Sequence, residues 1–109
     1  MAVKNGVQEI TGNHFEEKIN KPLVLVDFYA EWCMPCLIMA PVIEELADKF
    51  KGKIDFVKVN VDENSEIAQK FKVISIPTLI IFKEGEEIER IAGAVPSEQL
   101  EEKLGKMVK

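Results

Sequence analysis

The sequence predicts an α/β protein in which helices cover both faces of a central mixed sheet. Three observations carry this reading. Leu23 to Tyr29 is a near-continuous apolar run, the pattern of a strand buried on both faces. Strand and helix patterns then alternate as far as Phe71, which demands a parallel part of the sheet. Two further strand patterns meet at Glu84-Gly85, a hairpin signal that adds an antiparallel part. The expected order is β-α-β-α-β-α-β-β-α, a central mixed five-stranded sheet flanked by four helices.

Val7 to Ile10 opens the chain as a short edge strand. Thr11 or Asn13 is placed to cap the first helix, and Asn13 with Glu16 resembles a capping box. Phe15 and Ile19, four apart, face the core, and Asn20-Lys21-Pro22 ends the helix. After the Leu23–Tyr29 strand, Met39, Val42, Ile43, Leu46 and Phe50 repeat at helical spacing, with Glu44, Glu45, Asp48 and Lys49 opposite. Pro41 falls inside this helix, where it is expected to kink it, and Gly52 stops it. Phe56 to Val61 reads as a strand with Val57, Val59 and Val61 on one face, Lys58 and Asn60 on the other. Ile67, Ala68 and Phe71 mark a short third helix. Thr78 to Phe82 and Glu87 to Ile91 are the hairpin strands, the second charged as suits an exposed edge. Leu100, Leu104, Met107 and Val108 give a last amphipathic helix from Pro96-Ser97.

A chain of 109 residues is read as a single domain over 1–109, with room for one real core. Apolar residues at 47% and charged residues at 30% fit an ordinary globular protein. The net charge of −5 argues against a nucleic-acid surface, and no cluster of Lys and Arg reverses that. Positive charge is carried by Lys, with a single Arg at 90. Met1 to Ile10 lacks the apolar core of a secretory signal, and no run reaches membrane-spanning length. With two cysteines in such a chain, the expectation is a reducing, cytoplasmic compartment and a working dithiol.

Those cysteines stand in Trp32-Cys33-Met34-Pro35-Cys36, at the junction between the buried strand and the longest helix. Spaced three apart on a first helical turn, they share a face and lie within reach of disulfide geometry. The helix N-terminus offers unpaired N–H groups and a positive dipole end, which favour thiolate, the species that attacks disulfides. Structural zinc needs four ligands, and beside these sulfurs the chain has only His14, so zinc would need a second chain. Haem attachment needs a His after the second cysteine, where Leu37 stands. Cys33, at the helix end, is the expected attacker, and Cys36, one turn inside, the resolving thiol. Pro35 takes an early helical position where its missing N–H costs nothing. Asp27 interrupts the buried run. It is either a hydrated strand-end residue or a desolvated carboxylate with a raised pKa, suited to proton transfer. Lys58 alone reads as a solvated lysine, Trp32 as core or docking surface, and Ile76-Pro77 as a trans turn. His14 reads as a helix-surface residue without function.

Trp-Cys-x-Pro-Cys after Val26-Asp27-Phe28-Tyr29-Ala30-Glu31, with Ile76-Pro77-Thr78 further on, resembles the thioredoxin family from about Val7 to Val108. The resemblance implies the thioredoxin fold and a protein-disulfide reductase and electron carrier that cycles a Cys33–Cys36 dithiol and disulfide. It implies no prosthetic group. A separate thioredoxin reductase, usually flavin-dependent and sometimes fed by ferredoxin, re-reduces such carriers. Partners are then that reductase and disulfide-containing proteins, with the chain a monomer and neither nucleic acid nor membrane involved. Asp27 matches the family's buried acid beneath the second cysteine, and Lys58 the lysine beside it. Ile76-Pro77 matches a cis bond beside the disulfide, where the free backbone of Ile76 pairs with an extended substrate. Trp32, Pro35, Ile76, Pro77, Gly93 and Ala94 match the apolar docking surface. The sequence departs from the family at Met34, where glycine is usual, and at Leu37, where a cation is common. Lys72 and Ser75 stand where many relatives have glycine. A disulfide oxidase or isomerase, or a non-catalytic binding subunit on the same scaffold, are the alternatives.

Overall fold

A computed structural model describes residues 3–4 and 6–109. The elements are β1 (Val3–Lys4), β2 (Val7–Glu9), a 3-10 turn (Gly12–His14), α1 (Phe15–Ile19), β3 (Val24–Tyr29), α2 (Met34–Lys49), β4 (Asp55–Asn60), α3 (Ser65–Lys70), β5 (Thr78–Lys83), β6 (Glu86–Ala92) and α4 (Ser97–Met107). The sheet order is β1-β2-β4-β3-β5-β6. Strands β2, β4 and β3 run parallel, and β5 and β6 are antiparallel to their neighbours. The five strands and four helices expected from the sequence are all present, and the two-residue β1 pairs antiparallel with β2 beyond them. Val7–Glu9 is therefore second from the edge. The expectation that Met1 to Ile10 carries no signal rests partly on Met1, Ala2 and Asn5, which lie outside the described residues.

Strand β3 sits at the centre because it is apolar on both faces. Leu25 packs with Met39, Ile43 and Leu46 of α2 and with Leu100 and Leu104 of α4. Val24, Val26 and Phe28 pack on the opposite side with Phe15 and Ile19 of α1. On that side Phe15 stacks between Phe28, Phe71 and Phe82, with ring centroids 6.3, 5.2 and 5.9 Å away. Aromatic pairs of this kind add about 0.5–1.5 kcal/mol each beyond their buried area. This cluster holds the short α1 and α3 against the sheet, since helices of five and six residues are not stable alone.

Two local expectations change. The capping box at Asn13 and Glu16 does not form: Gly12–His14 is a 3-10 turn, α1 begins at Phe15, and neither Thr11 nor His14 makes a side-chain cap. The turn is tied instead to a distant loop, where the Gly12 N–H donates to Asn64 Oδ1 at 2.8 Å. Along β6, the imperfect alternation has a cause in the register, which skips Ile88 between Phe82↔Glu87 and Ile81↔Glu89. Ile88 is the extra residue of a bulge, and it is half exposed. The hairpin turn is as expected, with Glu84 at φ 52° and Gly85 at φ 87°, the left-handed pair that matches strand twist.

Candidate functional site

The loops that matter gather at one end of the sheet. Parallel β3 and β4 end there, antiparallel β5 starts there, and β6 returns to it. Strand β3 stops at Tyr29 and α2 starts at Met34, so the Trp32–Cys36 stretch spans the gap between sheet and helix. Cys33 is the N-cap of α2, Met34 opens the helix, and Pro35 is within its first turn. Proline is tolerated there because the first N–H groups of a helix have no intrahelical partner. Helix α2 then runs unbroken through Pro41 to Lys49.

Cys33 and Cys36 are joined in a disulfide, with their Cα atoms 5.2 Å apart. The Cys36 N–H donates to Cys33 Sγ at 3.2 Å. This is a capping bond in which sulfur replaces the usual oxygen. The two cysteines are similarly covered, 3% and 5% exposed, so exposure does not distinguish their roles. Position does: Cys33 lies at the dipole end and Cys36 inside the first turn.

Ile76, half buried, packs against Ala30, Cys33 and Cys36. The Ile76-Pro77 bond is cis, so the trans turn read from the residues alone is corrected and the form implied by the resemblance is present. Hydrogen bonds hold it on both sides. Thr78 Oγ1 donates to Ser75 O at 2.6 Å, and the Gly93 N–H donates to Pro77 O at 2.7 Å. Gly93, at φ 90°, thus lies beside Pro77, with Ala94 exposed next to it. Trp32 is 72% exposed, and its indole N–H donates to Asp62 Oδ2 at 2.8 Å. Asp62 was not singled out in the sequence; the Asn60–Asn64 run of turn-forming side chains is the signal that marks it. There Asn60 Oδ1 accepts from the Asp62 and Glu63 N–H groups, which shapes the loop beneath Trp32.

Asp27 lies on the face of β3 that α2 covers, since it shares that face with Leu25. It is opposite Lys58 on β4. Asp27 is 7% exposed, and its Oδ1 has no hydrogen-bond partner among the described residues. Burial raises its pKa from 3.8 to about 7, and the Lys58 charge opposes this only in part. Lys58 Nζ sits 5.2 Å from the centroid of the Tyr29 ring. The Tyr29 hydroxyl donates to Glu9, and desolvation together with that bond raises its pKa well above the usual range. Neither Glu9 nor Tyr29 was singled out in the sequence, since nothing local links residues on two strands separated by a third. His14 is exposed and paired with Glu17 at 3.1 Å. Among the described residues no three His, Cys, Asp or Glu side chains converge to hold a metal, and no helix is long and apolar enough to cross a membrane.

A buried redox pair at a strand-to-helix junction, faced by a cis-proline loop, defines a thiol–disulfide exchange site. The thioredoxin family model matches residues 6–106. The thioredoxin of Staphylococcus haemolyticus strain JCSC1435 is 49% identical over 100 residues, covering 92% of this chain and 96% of its own. That of Staphylococcus aureus strain N315 is 46% identical over the same length. The solved structure of a point-mutant thioredoxin from Halobacterium salinarum NRC-1 superposes with a TM-score of 0.87 at 30% identity, covering 100% of this chain and 96% of its own. The chain belongs to the thioredoxin family, has its fold, and is a protein-disulfide reductase working through Cys33 and Cys36.

Proposed function

We propose that Cys33 is the attacking sulfur of a single-domain cytoplasmic electron carrier, Cys36 the resolving one, and Asp27 its proton acceptor. The observation that carries this is the Cys36 N–H directed at Cys33 Sγ at the start of a 16-residue helix. In the reduced protein that donor and the dipole end stabilise a Cys33 thiolate. The thiolate attacks one sulfur of a target disulfide and expels the other as a thiolate, leaving a mixed disulfide. Cys36 gives its proton to Asp27, attacks Cys33 Sγ and expels the second target sulfur. The target gains two electrons, its two thiolates taking up one proton from solvent and the one Asp27 accepted, and the chain returns to the Cys33–Cys36 disulfide.

Lys58 opposite Asp27 limits how far burial lifts its pKa, keeping the carboxylate near neutrality. Trp32, Pro35, Ile76, Pro77, Gly93 and Ala94 form the surface on which the target lies, its extended backbone pairing with Ile76. The sulfurs carry the electrons without a further cofactor. A thioredoxin reductase restores the dithiol, and the chain acts as a monomer on disulfide-containing proteins. Reduction of insulin disulfides with dithiothreitol as donor tests this reading. Turnover that vanishes in Cys33→Ser is expected; binding of disulfide proteins without turnover would mean a binding subunit instead.

A further inference from the structure

The chain's single arginine lies away from the sulfurs, yet it grips the backbone that leads to Ile76. Arg90 projects from β6 and donates from Nη2 to Phe71 O at 2.6 Å and from Nη1 to Lys72 O at 3.3 Å. Glu87, three residues earlier, accepts from Nε and Nη2, both at 2.9 Å, and so holds the guanidinium in one plane. Phe71 is the residue at which α3 ends. Its carbonyl is among those a helix end leaves without intrahelical partners, and a cation there is favoured by the dipole. Lys72 follows in the left-handed region at φ 55°, where the chain turns toward Ile76. Beyond that turn Val73 packs against the Phe15 cluster and its N–H donates to Ala68 O at 2.8 Å, while Ile74 is 95% exposed and adds no packing of its own.

We infer that Arg90 is a positioning residue for substrate docking: with Glu87 it clamps the start of the 72–77 segment and sets where the Ile76 backbone stands against Cys33. This rests on the proposed pairing of Ile76 with an extended target. The far end of the segment is fixed by the Thr78–Ser75 and Gly93–Pro77 hydrogen bonds; at the near end the Lys72 and Val73 N–H groups bond back to α3, and Arg90 adds the side-chain anchor on the Phe71 and Lys72 carbonyls. Strand β6 and the residue that follows it thereby act at both ends of the loop, through Arg90 and through Gly93. A lysine replaces the clamp only in part, because one ammonium lacks the planar fork that reaches two carbonyls and a carboxylate together.

The test compares Arg90→Met, which keeps the apolar stem, and Arg90→Lys with the parent protein. Three disulfide substrates are used: a peptide disulfide, the same peptide N-methylated at the backbone position that faces Ile76, and 5,5′-dithiobis(2-nitrobenzoate). The last is a small disulfide that needs no backbone pairing. The parent is expected to prefer the unmethylated peptide. Arg90→Met should raise KM for that peptide by about tenfold, within the range that misplacing a positioned group costs, with kcat little changed. Arg90→Lys should fall between the two, and the small disulfide should react alike with all three proteins. Equal loss on every substrate, or no loss, removes the clamp while leaving the docking reading intact. A parent indifferent to methylation removes the docking reading and the clamp with it. Should Arg90→Met fail to fold, Arg90→Lys carries the same comparison.

Discussion

Asp27 and Lys58 stand opposite each other on adjacent parallel strands, on the sheet face covered by α2, and one carboxylate oxygen is buried with no hydrogen-bond partner among the described residues. A buried carboxylate held by a full set of donors would be anchored as an anion with a low pKa. Here desolvation dominates, and the nearby cation offsets only part of it. The result is an acid that titrates near neutral pH, where a proton acceptor for a buried thiol is of most use.

Replacing Asp27 should therefore stabilise the fold. The folded-state pKa, about 7, lies above the ordinary 3.8, so between those values the folded protein keeps a proton that the unfolded chain has released. Stability falls as pH rises through that window, and above pH 7 the whole penalty is present, on the order of 4 kcal/mol. Asp27→Asn should flatten the pH dependence between pH 4 and 7 and raise stability above it, by about 2–4 kcal/mol. Denaturant melts of the disulfide form at several pH values check this. Resolution of the mixed disulfide should slow by about two to four orders of magnitude if proton transfer limits it. A mutant that is less stable and equally fast would make Asp27 purely structural.

The roles of the two sulfurs are separable by trapping. Cys36→Ser should accumulate target proteins as mixed disulfides through Cys33, because nothing remains to resolve them. Cys33→Ser should trap far fewer. Equal capture by both variants, read on non-reducing gels, would undo the assignment.

Leu37 is 53% exposed on the first turn of α2, next to Cys36, where a cation would add attraction for a Cys33 thiolate. Leu37→Lys is expected to lower the Cys33 pKa modestly in the reduced protein. Titrating thiolate absorbance in the ultraviolet checks it, and an unchanged or higher pKa would show that the helix end alone sets the value.

Gly85 should tolerate no side chain cheaply. At φ 87° an L-residue is strained, and Glu84 beside it is already left-handed. Gly85→Ala is expected to cost about 1–2 kcal/mol in a denaturant melt. A neutral outcome would mean that the hairpin relaxes to another turn type.

Features that depend on neighbours in the chain were legible in the residues. Cys33 and Cys36 meet because one helical turn brings positions three apart together, and Glu84-Gly85 turns because of its own backbone preferences. The placement of β3 at the centre followed from an apolar run that has to be covered on both faces. Failures had the opposite character. The cap at Asn13 lost to the hydrogen bond between Gly12 and Asn64, 52 residues apart, and β1 is a strand only because β2 offers it an edge. For Ile76-Pro77 the two isomers differ by about 0.5–1 kcal/mol in a free chain, so local chemistry left the choice to the packing around Pro77. Asp27 was visible as an oddity in an apolar strand, but its partner was set by the register of β3 on β4. Arg90 was visible only as the one arginine. Its hold on Phe71 and Lys72 crosses 19 and 18 residues, and a long flexible side chain has no preference for such a target until the sheet and α3 place the carbonyls within its reach.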